Sequence, residues 1–172
     1  MDKYELDGEK YYYKNGKWLT SRYMRVPTAM ISRLNKLLVE KEDITEKTVE
    51  ELIEILDGAK QSENTQLALR TAERAIEIAN VSETRMLLPR LTSLYRQIGR
   101  PQKAVETAEK YIELHKKDVW SPALFTSIAA AYCDLDQLEL SRKFANRAKA
   151  LLGNNSSPEL ISVYARLKKL EE

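Results

Sequence analysis

The sequence is poor in the residues from which most catalytic and metal sites are built, because its 172 residues include one cysteine and one histidine. A single cysteine excludes an internal disulfide and favours a reducing compartment. Cys133 has no second cysteine and no neighbouring histidine, so neither a zinc site nor an activated nucleophile can be built around it. His115 is predicted to cap the end of a helix. We therefore predict a protein that is not an enzyme and that uses neither a metal nor another cofactor.

Glycine, proline and long apolar runs are also scarce. Five glycines and five prolines argue against a loop-rich β protein, and no glycine-rich phosphate-binding loop is present. No apolar run approaches the ~20 residues that a membrane-spanning helix needs. Residues 1–5 also lack the basic and apolar segments of a secretory signal. We expect a cytoplasmic protein with no membrane partner.

Charged residues are plentiful and nearly balanced, with 28 Lys and Arg against 26 Asp and Glu. They are unevenly distributed, since residues 1–36 carry a net charge of +4 and residues 37–64 carry −6. Three readings stay open: contact between the two segments, two separate partner surfaces, or ordinary solvated faces.

An eight-residue segment is repeated along the chain. Residues 71–78 (TAERAIEI) return as residues 107–114 (TAEKYIEL), and a weaker copy follows at residues 144–151 (FANRAKAL). The spacing of 36 and then 37 residues is typical of arrays of helix pairs, in which each pair buries its apolar face against the next. Apolar periodicity predicts helices at 28–41, 46–57, 65–80, 101–116, 121–134, 137–152 and 158–170.

Three residues set the expected helix ends in this part of the chain. Gly58 is predicted to stop the second helix. Ser82 is predicted to cap a further helix that ends near Ile98. Pro89 falls inside that helix, so we expect a kink or a later start there.

The first 26 residues differ from everything that follows. Asp7-Gly8 and Asn15-Gly16 are flanked by aromatic strand formers, and Asx-Gly pairs suit the tight turns of hairpins. They predict a β-meander with strands at about 4–7, 9–14 and 17–23, which should pack on the helices because short strands are not stable alone. We divide the chain into a β-hairpin or meander appendage, residues 1–26, and a helical-repeat domain, residues 27–172.

One pattern of large, small and aromatic residues fills two successive repeats. It reads Leu88, Leu91, Thr92, Tyr95, Gly99, Ala104, Ala108 and Tyr111, then Phe125, Ile128, Ala129, Tyr132, Asp136, Ser141, Ala145 and Ala148. An earlier, partial repeat keeps Ala68, Ala72 and Ala75. These residues resemble the tetratricopeptide-repeat (TPR) family. The resemblance covers about 45–172 and is best over 85–151, with residues 158–170 similar to the family's closing helix.

The resemblance implies a mainly α fold, in which antiparallel helix hairpins stack into a TPR-like α-solenoid after the small β-meander. It also implies a concave groove lined by the first helix of each repeat, at Arg90, Ser93, Arg96, Gln97, Thr126, Ala130, Asp134, Ser162 and Arg166. Because guanidinium groups pair carboxylates, an acidic partner would suit this groove. The predicted function is that of an adaptor or scaffold that binds a protein or peptide partner. We also expect that an exposed apolar helix face allows a homo-oligomer.

The alternative function is nucleic-acid binding through the meander, at Tyr12, Lys14, Lys17, Trp18, Arg22 and Arg25. Interleaved aromatic and cationic residues can stack bases and neutralise phosphates. Alternate aromatics of a meander must face the helices, however, so one face at most is available. The same stretch also suits a cap for the open end of a repeat array. An enzyme whose active site is completed by a partner is a third reading that the sequence leaves open.

Overall fold

The computed structural model describes residues 2–14, 17–41, 44–116 and 119–171. Three strands come first, β1 (Asp2–Leu6), β2 (Glu9–Lys14) and β3 (Lys17–Thr20). Eight helices follow within the described ranges: α1 (Thr28–Lys41), α2 (Val49–Gln61), α3 (Thr65–Ile78), α4 (Val81–Gln97), α5 (Pro101–Leu114), α6 (Pro122–Asp134), α7 (Leu138–Leu152) and α8 (Pro158–Glu171). The predicted fold class, mainly α with a small N-terminal sheet, is confirmed.

The chain divides into two compact units, Met1–Ile78 and Ala79–Glu172. The boundary that we predicted between residues 26 and 27 separates the sheet from α1, and both of these lie in the first unit. As a domain boundary it stays a prediction.

The sheet of the N-terminal unit is an antiparallel meander in the order β1-β2-β3. Asp7 and Gly8, with φ of 55° and 78°, form the first predicted turn. The second predicted turn, Asn15-Gly16, lies outside the described residues. β3 ends at Thr20, three residues earlier than predicted, because the Thr20 hydroxyl accepts the backbone N–H groups of Arg22 and Met24 and turns the chain.

The inner face of this sheet forms an aromatic core against α1. Tyr4, Tyr11 and Trp18 are buried there with Val26 and Leu34. The rings of Tyr4 and Trp18 meet edge to face at 5.0 Å, a favoured arrangement for aromatic pairs. The sheet therefore packs on a helix, as short strands require.

Two helix ends in this unit differ from the prediction. α2 begins at Val49, three residues late, because Thr48 and Glu51 form a capping box that defines its first turn. α2 also continues through Gly58, which we had expected to stop it. It ends at Gln61, since Glu63 adopts a φ of 57° that no helix accommodates.

The C-terminal unit begins with α4, whose first turn corrects one expectation. Asn80 caps it, not Ser82, because the Asn80 side chain accepts the N–H of Glu83 while the Glu83 carboxylate accepts the N–H of Asn80. The helix then runs through Pro89 without a later start. The capping box supplies the helix start, and Pro89 removes only one backbone donor further along.

Helices α4, α6 and α8 lie side by side in this unit, while α5 and α7 pack against α6 from the other layer. α6 is buried on nearly every side, which suits a helix that is apolar all round. Ser141 of α7 donates to the carbonyl of Ala129 at 2.8 Å, so the two helices meet at small residues. Cys133 is buried at this contact, with its Sγ 3.0 Å from the Ser141 hydroxyl oxygen.

Candidate functional site

The first helices of the repeats bring most of the predicted groove residues together in the C-terminal unit. One cavity of about 380 Å³ is lined by Ser93 and Arg96 of α4, by α6 and by α8. A second, of about 500 Å³, shares Ser93 and Arg96 and extends toward the start of α5. Both volumes fall within the usual range of ligand sites, roughly 300–1,000 Å³.

Of the predicted groove positions, eight line these two cavities: Ser93, Arg96, Gln97, Thr126, Ala130, Asp134, Ser162 and Arg166. Arg90 lines neither, and it is half-buried with partners of its own. The cavities also include residues that our reasoning missed, among them Ser127, Glu159 and Pro158. Pro158 was visible as the start of the closing helix, but its place against α4 and α6 depends on packing.

A single carboxylate connects the three helices at this site. Asp134, the last residue of α6, accepts hydrogen bonds from the Nε of Arg96 and from the Nη2 of Arg166, both at 2.6 Å. The three side chains are between 24% and 37% exposed, so the cluster is partly shielded from water and open to a ligand. Charge-assisted bonds of this length are the strong kind. The two arginines are thus held in fixed orientations by one acidic residue.

The cluster keeps a positive charge after this pairing. Two guanidinium groups and one carboxylate leave a formal net charge of +1. Asp134 uses both carboxylate oxygens, whereas each guanidinium retains N–H donors beyond the one it gives to Asp134. Two of the arginines that the sequence predicted for a groove, Arg96 and Arg166, are therefore already oriented and partly neutralised by Asp134.

A second polar contact lies on the side of α6 that faces α5. The hydroxyl of Tyr132 donates to Glu109 Oε1 at 2.6 Å, and the ring stacks on Phe144 at 5.5 Å. Burial raises the pKa of Tyr132 well above its usual value, and the hydrogen bond to Glu109 and the charge of Glu109 raise it further. Tyr132 is thereby a fixed, neutral donor that holds α6 against α5.

The predicted nucleic-acid residues divide between two faces of the sheet. Trp18 is only 5% exposed, and its Nε1 donates to Asn35 Oδ1 at 2.8 Å, so it belongs to the core and our assignment of it to an open face is wrong. The alternation of strands explains this, because Trp18 is the cross-strand partner of Tyr13 on the inner side. The other predicted residues, Tyr12, Lys14, Lys17, Arg22 and Arg25, lie outside this core.

We define the outer sheet face as the side turned away from α1. The strand registers place on it Lys3, Glu5, Lys10, Tyr12, Lys14, Lys17 and Leu19. Arg25 joins this face through its bridge to Leu19, and Arg22 lies in the exposed turn that follows β3. Lys17 and Arg25 lie at the sheet edge, where they also line a cavity of about 710 Å³ with Trp18 and the start of α1. Tyr23 is 62% exposed and stacks on Tyr12 at 5.7 Å and 22°. The predicted meander included Tyr23 as the last residue of its third strand, so strand alternation gave no sign that this ring would turn back onto Tyr12.

The described part of the chain contains no group of three or more His, Cys, Asp or Glu side chains arranged to hold a metal ion. His115 ends α5, as expected, and its ring lies 6.4 Å from that of Trp120. Within the same residues, none of the helices combines the length and the apolar character needed to cross a bilayer.

No protein-family model matches the sequence, and no curated protein matches it. Several solved structures do match, and three of them are TPR domains. That of Sgt2 from Aspergillus fumigatus is 18% identical with a TM-score of 0.61, covering 72% of this chain and 80% of that chain. The TPR domain of OM64 from Arabidopsis is 16% identical with a TM-score of 0.58, and the match covers 71% of this chain and 95% of that chain. The first TPR domain of human RPAP3 is 17% identical with a TM-score of 0.57, and the match covers 72% of this chain and 95% of that chain.

At such identities the likeness shows the fold. The resemblance noted in the sequence is therefore confirmed at that level: the chain has a TPR-like helical-repeat fold.

Proposed function

We propose that this protein is an interaction module, an adaptor without catalytic activity, that holds an acidic peptide of a partner protein in the groove of its C-terminal unit. The observation that carries the proposal is the Arg96–Asp134–Arg166 cluster, which faces the two adjoining cavities. The likeness to TPR domains supports a protein or peptide as the class of partner.

The chemistry of the groove suits carboxylates. Arg96 and Arg166 retain N–H donors, and their shared Asp134 fixes the direction in which those donors point. A ligand that meets oriented donors loses less entropy on binding than one that must order them, which favours affinity. The hydroxyl groups of Ser93 and Ser162 line the same cavity and suit the backbone of an extended peptide.

The test uses a displayed library of random peptides as the probe. Peptides enriched on the full-length wild-type protein should be rich in Asp and Glu, and the double variant Arg96→Gln/Arg166→Gln should not enrich them. Glutamine is the better replacement because a reversed charge at either position would repel Asp134 and disturb the fold. The matched control is Lys110→Gln/Lys143→Gln, which removes the same charge from exposed positions on α5 and α7.

Calorimetric titration of one enriched peptide then gives the magnitude. We expect the Arg96→Gln/Arg166→Gln variant to bind at least about tenfold more weakly, since each hydrogen bond to a charged group contributes about 1.5–3 kcal/mol. The control variant should bind as the wild type does. Equal binding by all three proteins, or enrichment of peptides without acidic residues, contradicts the proposal.

A further inference from the structure

The outer sheet face carries more positive charge than the fold itself accounts for. Six cations lie on it or beside it, Lys3, Lys10, Lys14, Lys17, Arg22 and Arg25, and all six are exposed. Glu5 is the carboxylate of this face within the described strands, opposite Lys10. Among the described residues no ion pair neutralises any of the six. By contrast, the exposed Arg33 on α1 pairs with Asp7 at 2.7 Å.

One pair on this face is unfavourable for the sheet. Lys14 and Lys17 are direct cross-strand partners, and both side chains point outward. Like charges directly opposite each other destabilise a β-ladder, so folding alone does not explain this pair. A bound anion between the two ammonium groups would remove the repulsion.

The aromatic pair on the same face is also held in an unusual way. Tyr23 has a φ of 58°, a left-handed conformation that bulky side chains rarely adopt. The turn that holds it is closed by the hydrogen bond from the Tyr23 N–H to the Thr20 carbonyl at 2.9 Å. This conformation lays the Tyr23 ring on Tyr12 while most of Tyr23 stays in contact with solvent. Strained residues of this kind occur disproportionately at functional sites.

We propose that the outer sheet face binds single-stranded nucleic acid. A base stacks on the open side of the Tyr23 ring and extends the Tyr12–Tyr23 stack, while Lys14, Lys17 and Arg25 bind the phosphates. Sheet faces that combine exposed aromatic rings with cations bind single strands in this way, because every base has a face that can stack. This proposal uses none of the residues of the peptide groove, so the two proposals stand or fall independently.

Other polyanions fit the same face less well. In a duplex the base faces are hidden, so Tyr23 would contribute nothing to its binding. An anionic membrane favours apolar side chains that insert, whereas the Tyr23 ring lies flat against Tyr12. An acidic peptide would use the cations but would leave the stacked pair without a role.

The test measures fluorescence anisotropy of a labelled oligothymidylate of about 16 nucleotides, the upper end of single-domain site sizes. The full-length protein should bind it more tightly than a duplex of the same length, and affinity should fall between about 50 and 200 mM salt. Tyr23→Ala should weaken binding by roughly tenfold, the effect expected of one lost stack, whereas Tyr23→Phe should leave it nearly unchanged.

Lys14→Glu separates binding from folding. It places an acidic residue opposite Lys17, so the melting temperature should rise slightly while affinity for the oligonucleotide falls by on the order of tenfold. The slope of log affinity against log salt should become shallower by about 0.7 for each lost phosphate contact. The matched control is Lys110→Glu, the same charge reversal at an exposed position on α5, which should change neither quantity.

Three results would each overturn the proposal. The first is absence of binding at the lower salt concentration. The second is equal affinity for single strand and duplex with no effect of Tyr23→Ala, which would mean attraction of charge alone. The third is preferential binding to vesicles that contain phosphatidylserine, lost in Lys14→Glu, which would assign the face to a membrane surface.

Discussion

In the C-terminal groove two arginines share one carboxylate, whereas on the N-terminal outer sheet face six cations form no ion pair among the described residues. The groove cluster is oriented before any ligand arrives, because Asp134 fixes Arg96 and Arg166. The sheet cations sit on flexible side chains in water and gain a fixed partner only from outside. The first arrangement favours selectivity for a defined carboxylate, and the second favours attraction of a polyanion.

The largest expected effect contrasts two aromatic residues of the N-terminal unit. Trp18→Ala should lower the free energy of unfolding by about 3–5 kcal/mol, because it empties the sheet core. It also leaves Asn35 Oδ1 without its donor. Tyr23→Ala should cost about 1 kcal/mol or less, since it removes one exposed aromatic contact. Urea denaturation of both variants checks this, with Trp18→Phe as an intermediate control. Similar losses for the two alanine variants would mean that Trp18 is not a core residue.

The second prediction concerns the shared carboxylate of the groove. Asp134→Ala leaves two arginines close together without a counter-charge, so it should lower the free energy of unfolding by about 1–3 kcal/mol. Asp134→Asn keeps one acceptor and should cost less. Added salt should reduce the loss in Asp134→Ala by screening the arginine repulsion. A loss that does not depend on salt would assign Asp134 a packing role instead.

A third prediction uses pH to probe the contact between α5 and α6. The raised pKa of Tyr132 keeps its phenol neutral in the folded state at a pH where the unfolded chain ionises. The neutral Tyr132 phenol therefore contributes stability that is fully present below pH about 10, the pKa of an unperturbed tyrosine. This stabilisation is lost progressively as the pH rises above that value.

Tyr132→Phe removes this contribution. At neutral pH the variant should be less stable by about 1 kcal/mol, the usual contribution of a hydrogen bond. Above pH 10 the difference from the wild type should shrink. Thermal melts across the alkaline range measure it, and a difference that stays constant with pH would contradict the assigned cause.

The smallest expected effect compares the turns that close two neighbouring hairpins. Gly99 and Asp136 occupy matching repeat positions with φ of 72° and 56°. Gly99→Ala should cost about 1 kcal/mol, because the left-handed backbone penalises a side chain. A Cβ at Gly99 would meet no atom within 4 Å, so the cost is conformational and not steric. Asp136→Gly should stabilise by up to about 1 kcal/mol. Opposite shifts in the two melting temperatures are the expected result.

Much of the fold was predictable because its signals are local. Six helices were placed within two residues at each end, and the first strand turn was found from Asp7-Gly8. The errors fall where two local signals compete. Gly58 looks like a helix stop, but Glu63 ends α2; Ser82 looks like a cap, but Asn80 forms the capping box. Where a helix begins or ends depends on which of its terminal backbone groups find hydrogen-bond partners, and the neighbouring residues supply those partners.

The two candidate sites were also predictable only in part. The resemblance to the tetratricopeptide-repeat family implied that Arg96, Asp134 and Arg166 line a groove, and these residues line the two cavities of the C-terminal unit. It did not predict that Asp134 binds both arginines, since that bond joins residues 38 and 32 positions apart. On the sheet, strand alternation predicted that one face would be buried, but not that Tyr23 would turn back onto Tyr12.

The sequence by itself determined the helical repeat, the small N-terminal sheet, the lack of a cysteine pair and the surplus of cations near the start of the chain. These follow from periodicity and composition, which act over a few residues. Only the tertiary structure decided which of those cations and aromatics are available for binding. It buried Trp18, exposed Tyr23 and paired Arg96 with Asp134. The physical reason is that burial and charge pairing depend on distances between segments, and packing sets those distances.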